Sequence, residues 1–147
     1  MNRVVALVTG SNRGIGRSCI EEFAKRGVTV VINYCHHKEE AEELEQEIKD
    51  KYNVDVLTIK CDVSKEEEVE AMFNQIEETF GGLDILVNNA SVCRDSLLLD
   101  KNIKEFKRVL DVNLIGTYLC SKYAAKIMLG AKKGKIINIS STNAIDT

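Results

Sequence analysis

Short apolar runs alternate with amphipathic helical patterns along the whole chain. Five runs rich in valine, isoleucine and leucine predict buried parallel strands over residues 4–8, 28–32, 54–60, 83–88 and 135–140. Between these runs, apolar residues spaced three and four apart predict four helices, two of which span residues 38–52 and 103–129. This alternation predicts an α/β fold with a doubly wound parallel sheet in the strand order 3-2-1-4-5. A ligand is then expected at the carboxyl ends of the strands, where the order reverses.

The same spacing predicts the apolar face of each helix, and polar residues predict where the helices begin. Ser64 and Glu67 are expected to form a capping box for the third helix, and Asn102 is expected to cap the fourth. The residues of the four apolar faces are Ile15, Cys19 and Phe23; Ala41, Leu44, Ile48 and Tyr52; Val69, Met72, Phe73, Ile76 and Phe80; and Ile103, Phe106, Leu110, Leu114, Thr117 and Ser121.

A glycine-rich turn, from Thr9 to Gly16, follows the first strand directly and leads into the first helix. Glycine lets the backbone turn tightly and approach a ligand closely, and the helix N-terminus offers unpaired N–H groups and a partial positive charge. Strand, turn and helix together predict a site for the phosphates of a dinucleotide. The alternative is a turn that contains three glycines and binds nothing. The residues expected to contact the cofactor are Gly10, Ser11, Asn12, Arg13, Gly14, Ile15 and Gly16.

Composition and charge narrow the possible partners. The 147 residues carry a net charge of −3 and are 44% hydrophobic, which is typical of a globular domain. Neither a nucleic acid nor a membrane is expected as a partner, because the net charge is negative and no apolar run approaches the length of a membrane span. Five cysteines without a CxxC spacing favour reduced thiols in a cytoplasmic protein. No metal is expected, since the adjacent His36 and His37 lack a nearby cysteine pair, and we interpret them as a solvated loop.

Four further landmarks follow the glycine turn in order. Asp62-Val63 comes after the third strand, and Asn-Asn-Ala-Ser at 88–91 ends the fourth. Asn113 lies on the predicted apolar stripe of the long helix, and Ser141 follows the fifth strand. With the TGxxxGxG pattern of the turn, these residues resemble the short-chain dehydrogenase/reductase family, and within it the NADPH-dependent 3-oxoacyl-acyl-carrier-protein reductases. The serine that ends the 88–91 motif stands where that family has glycine.

The resemblance implies a Rossmann-like fold and a role for individual residues. Ser141 would polarise the carbonyl of a small-molecule substrate, a ketone such as the 3-oxoacyl thioesters of fatty acid biosynthesis. Asn113 would hold a proton-relay water, and a buried amide at this position needs hydrogen-bond partners in any case. The cofactor-binding residues that the resemblance implies beyond the glycine turn are Tyr34, Asp62, Val63, Asn89 and Ala90.

The position that selects between the two dinucleotides carries no acid. Proteins of this architecture that bind NAD place a carboxylate about 20 residues after the glycines, where it grips the ribose 2′-hydroxyl. This chain has Asn33, Tyr34 and Cys35 there, while Arg13 in the turn can make two parallel hydrogen bonds to a 2′-phosphate. We therefore predict NADP(H) as the cofactor, with NAD(H) as the less favoured alternative.

The resemblance also implies a tyrosine and a lysine that complete the proton transfer, about a dozen residues after Ser141 and so beyond Thr147. Tyr118 and Lys122 have the matching spacing, but they precede the serine, and we interpret that match as chance. Residues 1–147 are thus expected to form one dinucleotide-binding domain, incomplete at its C-terminus and with little turnover. Its fifth strand would be an exposed apolar edge, which predicts a homo-oligomer. The alternatives are a non-catalytic dinucleotide-binding module and a self-associating structural fragment.

Overall fold

A computed structural model describes residues 3–141 of the chain. The strands are β1 (Val5–Val8), β2 (Thr29–Tyr34), β3 (Val56–Lys60), β4 (Ile85–Asn88) and β5 (Lys135–Asn138). The α-helices are α1 (Gly14–Lys25), α2 (Lys38–Lys51), α3 (Glu66–Phe80), α4 (Ile103–Leu110) and α5 (Thr117–Ala131). A 3-10 turn (Leu98–Asp100) precedes α4, and a π-helical segment (Asp111–Gly116) joins α4 to α5.

The strands form one parallel sheet in the order β3-β2-β1-β4-β5. β1 is central: its Val8 lies in register with Ile32 of β2 on one side and with Val87 of β4 on the other. The chain continues from β1 first to one side of the sheet and later to the other, so the strand order reverses at the carboxyl end of β1. The predicted α/β class and strand order are confirmed.

Apolar cores lie on both faces of the sheet, because successive side chains of each strand point to opposite faces. Leu7 belongs to the core formed with α3 and α5, and Val8 to the core formed with α1 and α2. The predicted inward faces of α2 and α3 are confirmed, with Leu44 and Ile76 fully buried. Within residues 3–141, no helix combines the length and the hydropathy that crossing a membrane requires.

The predicted apolar face of α1 is wrong by one position. Gly16, Ile20 and Ala24 are the buried residues, whereas Ile15 is 63% exposed. The cause is the glycine turn, because a Cβ on Gly16 would lie only 2.8 Å from the carbonyl oxygen of Gly10. The helix face that carries Gly16 therefore packs inward. The other residues of the predicted face, half-buried at its margin, are Cys19 and Phe23.

The predicted helix over 103–129 is divided by the π-helical segment, and its predicted inward face is wrong. Ile103 and Leu114 are 63% and 62% exposed, and Phe106 and Leu110 are 46% and 40% exposed. A π-turn takes more residues than an α-turn, so a stripe at α-helical spacing cannot continue through it unchanged. The side chains that face inward instead are Val112, Leu119, Cys120, Tyr123, Ala124 and Met128. The remaining residues of the predicted face, Thr117 and Ser121, are half-buried.

One of the two predicted helix caps is confirmed. Asn102 caps α4, since its side chain accepts a hydrogen bond from the backbone N–H of Lys104 at 2.8 Å. The capping box of Ser64 and Glu67 is wrong, because α3 begins two residues after Ser64 and no side chain caps it. The Ser64 hydroxyl donates instead to the carboxylate of Asp62 at 2.7 Å. This contact belongs to the candidate functional site.

Candidate functional site

A cleft of about 700 Å³ opens where the carboxyl ends of β1, β2, β3 and β4 meet. The glycine turn, the residues after β2 and β3, and the loop after β4 form its walls. Arg108 of α4 and Val112 of the π-helical segment also line it. The cleft thus lies at the predicted reversal of strand order. It brings together most of the predicted cofactor-binding residues: Gly10, Asn12, Arg13, Gly14, Ile15, Asp62, Val63, Asn89 and Ala90.

The three glycines of the turn are required for different structural reasons. Gly10 has a left-handed φ of 60°, and a Cβ there would lie 2.9 Å from Cα of Ala90. Gly16 is buried, and its Cβ would lie 2.6 Å from the side-chain nitrogen of Asn89. Gly14 has a left-handed φ of 58°, but an added Cβ would meet no atom of residues 3–141 within 4 Å, so it borders the open cleft. Gly14 is also the first residue of α1, so the turn fits a phosphate group beside the helix N-terminus.

Asn33 lies at the position expected to select the dinucleotide, but it was not among the predicted contact residues; its side chain links the ends of three strands. Its Oδ1 accepts from the N–H of Gly10 at 3.0 Å, and its Nδ2 donates to the carbonyls of Ile59 at 3.4 Å and Cys61 at 3.2 Å. Its backbone N–H donates to the hydroxyl of Ser11 at 3.1 Å. Ser11 is fully buried and so shapes the turn from behind. A polar residue within a buried strand needs such partners, and that signal could have identified Asn33.

Of the three residues expected at the end of β2, Asn33 and Cys35 line the cleft and Tyr34 does not. Tyr34, predicted to contact the cofactor, is 7% exposed and belongs to the core formed with α1 and α2. Cys35, His36 and His37 follow it and line the cleft. The interpretation of the histidines as a solvated loop did not place them at the cleft. The two histidines were weighed only as metal ligands. Their position at the carboxyl end of a strand, where ligands of such sheets bind, would have indicated the cleft.

The loop after β4 is fastened to the glycine turn. The hydroxyl oxygen of Thr9 accepts hydrogen bonds from the backbone N–H groups of Asn89 and Ala90, both at 3.0 Å. The Asn89 side chain donates to the carbonyls of Thr9 at 3.0 Å and Gly10 at 3.1 Å. These bonds fix two walls of the cleft relative to each other.

Asp62 lies just beyond β3, and its carboxylate is held from two sides. Its Oδ1 accepts from the N–H and the hydroxyl of Ser64 at 3.1 and 2.7 Å, and its Oδ2 lies 3.0 Å from Nη2 of Arg108. Burial alone disfavours the charged carboxylate, but the hydrogen bonds from Ser64 and Arg108 and the charge of Arg108 outweigh it. They lower the pKa of Asp62 below its ordinary value. The sequence did not identify Arg108 as a site residue, because the inward face of the helix that carries it was predicted wrongly.

Asn113 is exposed, contrary to the expectation that it lies on a buried stripe. Both ends of its amide are nevertheless bonded: Oδ1 accepts from the N–H of Val92 at 2.8 Å, and Nδ2 donates to the carbonyl of Val92 at 3.0 Å. The π-helical segment that contains Asn113 therefore holds the loop after β4, and Val92 of that loop lines the cleft.

Ser141 lies beyond the carboxyl end of β5, and it is not among the residues that line the cleft. The end of β5 is fixed beside β4, because the N–H of Ile139 donates to the carbonyl of Asn88 at 2.9 Å. The Asn88 side chain also donates to Asn138 at 2.8 Å and to Ser121 of α5 at 3.0 Å. These contacts determine where the chain carries Ser141.

The sequence profile described as short chain dehydrogenase matches residues 4–147. The chain belongs to the short-chain dehydrogenase family. A solved short-chain dehydrogenase/reductase from Serratia marcescens, a double mutant, has a TM-score of 0.90 to this fold at 31% identity. That comparison covers 98% of this chain and 58% of the Serratia chain. The resemblance inferred from the sequence landmarks is confirmed.

Similar short-chain dehydrogenases include reductases of two bacterial genera. A 3-oxoacyl-acyl-carrier-protein reductase of Staphylococcus aureus is 45% identical over 136 residues, which are 92% of this chain and 55% of that protein. A 3-oxoacyl-acyl-carrier-protein reductase of Synechocystis is 38% identical over 137 residues, 93% of this chain and 55% of that protein. The chain therefore spans about half the length of the curated relatives that it matches.

Proposed function

We propose that this chain is the cofactor-binding part of an NADPH-dependent oxidoreductase that reduces a ketone, a 3-oxoacyl thioester, to the alcohol. The observation that carries the proposal is the cleft itself, where the glycine turn, Asp62 and the loop after β4 meet at the reversal of strand order. Ligands of open α/β sheets bind at this place. The names of the Staphylococcus and Synechocystis relatives supply the substrate class.

The proposed contacts follow the length of the cleft. The backbone of Gly10 and Gly14 and the N-terminus of α1 would hold the pyrophosphate. Asp62, as an ionised acceptor, would accept a hydrogen bond from the exocyclic amine of adenine, with Val63 against the ring. The remaining contacts, along the path to the nicotinamide ribose, are assigned to Asn89 and Ala90.

We further propose that Arg13, His36 and His37 select NADPH over NADH. Arg13 offers a charged fork of donors, and each imidazole offers an N–H to a 2′-phosphate. The residues after β2 that line the cleft include no acid that would repel this phosphate. We expect R13A to weaken NADPH binding about tenfold, the effect of losing one charge-assisted hydrogen bond, and to leave NADH binding within about twofold. Calorimetric titration of both cofactors measures the ratio, and an equal loss for both would contradict the assignment.

The bound NADPH would supply the hydride for the ketone carbon. The Ser141 hydroxyl would donate a hydrogen bond to the ketone oxygen. Asn113 holds the loop that carries Val92 in place. It would also keep the relay water near the ketone oxygen. The proton donor implied by the resemblance is a tyrosine numbered beyond 147, so we propose that residues 1–147 by themselves give little turnover.

The test is a fluorescence titration of NADPH into the 147-residue protein, followed by an assay of NADPH oxidation with a 3-oxoacyl thioester. Saturable binding at micromolar concentrations with little oxidation is the expected result. A longer chain that continues past residue 147, binds NADPH and still does not oxidise it would favour the non-catalytic dinucleotide-binding module. The absence of binding would contradict the proposed function and favour the structural fragment.

We also propose that the protein acts in the cytoplasm as a homo-oligomer. All five cysteines are free thiols in this structure, which suits a reducing compartment. Several large apolar side chains of α4 are exposed, among them Ile103 and Phe106. Exposed apolar patches of this kind mark association surfaces.

A further inference from the structure

We propose that Arg108 is a positioning residue, which fixes the carboxylate of Asp62 so that it distinguishes the exocyclic amine of adenine from other groups at that place. This inference rests on the proposed binding of a dinucleotide in the cleft.

Arg108 contacts two neighbouring groups with one guanidinium. Its Nη2 lies 3.0 Å from Oδ2 of Asp62, and its Nη1 lies 3.4 Å from Oδ1 of the same carboxylate. The same Nη1 donates to the hydroxyl of Ser64 at 2.7 Å, and this hydroxyl donates to Oδ1 of Asp62. Arg108, Ser64 and Asp62 thus form a closed ring of hydrogen bonds, which permits one orientation of the carboxylate plane.

The pairing is not an ordinary surface ion pair. The side chain of Asp62 is 14% exposed, and that of Arg108 is 38% exposed, while both residues line the cleft. Surface ion pairs contribute little because water screens them, but a pair with one partner largely removed from water is screened less. A carboxylate has more acceptor sites than Ser64 and Arg108 occupy, so an acceptor site remains for a ligand in the cleft.

The neighbouring charged groups are already committed elsewhere. Lys65 pairs with Glu68 at 2.9 Å, and Glu68 accepts the backbone N–H of Asp62 at 2.8 Å, so it faces the peptide and not the carboxylate. Among residues 3–141, Arg108 is the cation that makes an ion pair with Asp62. Arg108 comes from α4, a different element from the one that carries Asp62, so the orientation of the carboxylate depends on how α4 packs.

The test compares NADP⁺ with its deamino analogue, in which a carbonyl oxygen replaces the 6-amino group of adenine. The protein is titrated with each compound in a calorimeter. We expect the wild type to prefer NADP⁺ about tenfold or more, because the carboxylate accepts from the amine but faces a lone pair in the analogue. D62A should remove the preference. R108M should reduce it to about twofold or threefold, since the carboxylate remains but is no longer oriented.

The matched control is K107M, because Lys107 is the adjacent and exposed residue of α4. The K107M variant should prefer NADP⁺ over the analogue as strongly as the wild type does. R108K restores the charge without the two-pronged geometry and should give an intermediate preference. It also serves as the second variant if R108M melts too low to be titrated. If the role of Arg108 is purely structural, R108M would weaken the binding of both compounds equally and leave the ratio of their affinities unchanged.

The outcomes separate this inference from the proposed function. Failure of the wild type to bind either compound overturns both. Binding of the wild type without a preference overturns the recognition of adenine by Asp62 and, with it, the role of Arg108. If R108M and R108K prefer NADP⁺ over the deamino analogue as strongly as the wild type does, the positioning role of Arg108 alone is overturned.

Discussion

Gly16 and Gly14 show how two residues of the same type serve a site in opposite ways. Gly16 is needed because the loop after β4 leaves no room for a side chain, with the Asn89 amide 2.6 Å from where its Cβ would be. Gly14 is needed because its φ of 58° is left-handed, while the space beside it is open. The glycine pattern alone predicts the turn. It does not show which glycine is needed for lack of space and which for its backbone conformation, because the available space depends on residues distant in sequence.

The substitution G16A would put a side chain where the structure leaves no room for one. The added methyl group would displace Asn89 and the carbonyl of Gly10, both of which fasten the turn to the loop after β4. We expect the free energy of unfolding to fall by about 1–3 kcal/mol, the usual range for overpacking. Urea denaturation measures it. G82A is the control, since a Cβ there would meet no described atom within 4 Å and φ is not left-handed; equal losses in both variants would contradict the steric explanation.

The Asp62 carboxylate makes the stability of the protein depend on pH. Because the pKa of Asp62 is lowered in the folded protein, its ionised form stabilises the fold at neutral pH. That contribution disappears as the pH falls from about 4 through the lowered pKa. We expect D62N to lose about 1–3 kcal/mol at pH 7, since it weakens the contacts with Arg108 and Ser64, and to lose less than this at pH 3. Denaturation at both pH values checks this, and a difference independent of pH would refute it.

At the scale of elements, α2 and α3 could be predicted and the helical stretch from α4 to α5 could not. The first two are regular α-helices, and the large apolar residues of each face the core on its own side of the sheet, so period and burial agree. In the third, Leu110 and Leu114 continue a good α-helical stripe, but the π-helical segment between Asp111 and Gly116 turns Val112 inward. The sequence contains no local mark of a π-turn, and an exposed apolar stripe has the same period as a buried one.

The packing of the strand ends depends on Asn33, because its amide joins the ends of β1, β2 and β3. N33L would leave the N–H of Gly10 and two carbonyls without this partner, at a position that is 1% exposed. We expect a loss of about 2–4 kcal/mol in the free energy of unfolding, measured by urea denaturation. N74L, at an exposed position of α3, should change little. Similar values for both variants would show that the strand ends do not depend on the amide.

At the scale of the whole molecule, the sheet was predictable because it depends on few rules. Parallel strands with helical crossovers, and a glycine turn after the first strand, determine both the order and the edge where ligands bind. The wall contributed by α4 was not predictable in the same way. Arg108 contacts Asp62, which is 46 residues away in sequence, so no local pattern predicts this pair.

We expect the protein to self-associate, and two exposed apolar surfaces could form the contact. The strip on α4 exposes Phe106 and Leu110 by 46% and 40%, and the edge strand β5 exposes Ile137 by 44%. We expect the α4 strip, formed by Ile103, Phe106 and Leu110, to be the main contact, because these three large apolar side chains are exposed at helical spacing on one helix. A charge within such a surface would be buried without a partner.

F106E should therefore lower the mass measured by sedimentation equilibrium to that of a single chain. K107E, beside the strip but outside it, should leave the wild-type mass unchanged, and I137K tests the strand edge. If I137K dissociates the protein and F106E does not, pairing of the sheet edge is responsible, because an edge strand offers unpaired backbone groups to another copy. A wild type that remains a single chain at every concentration would contradict both.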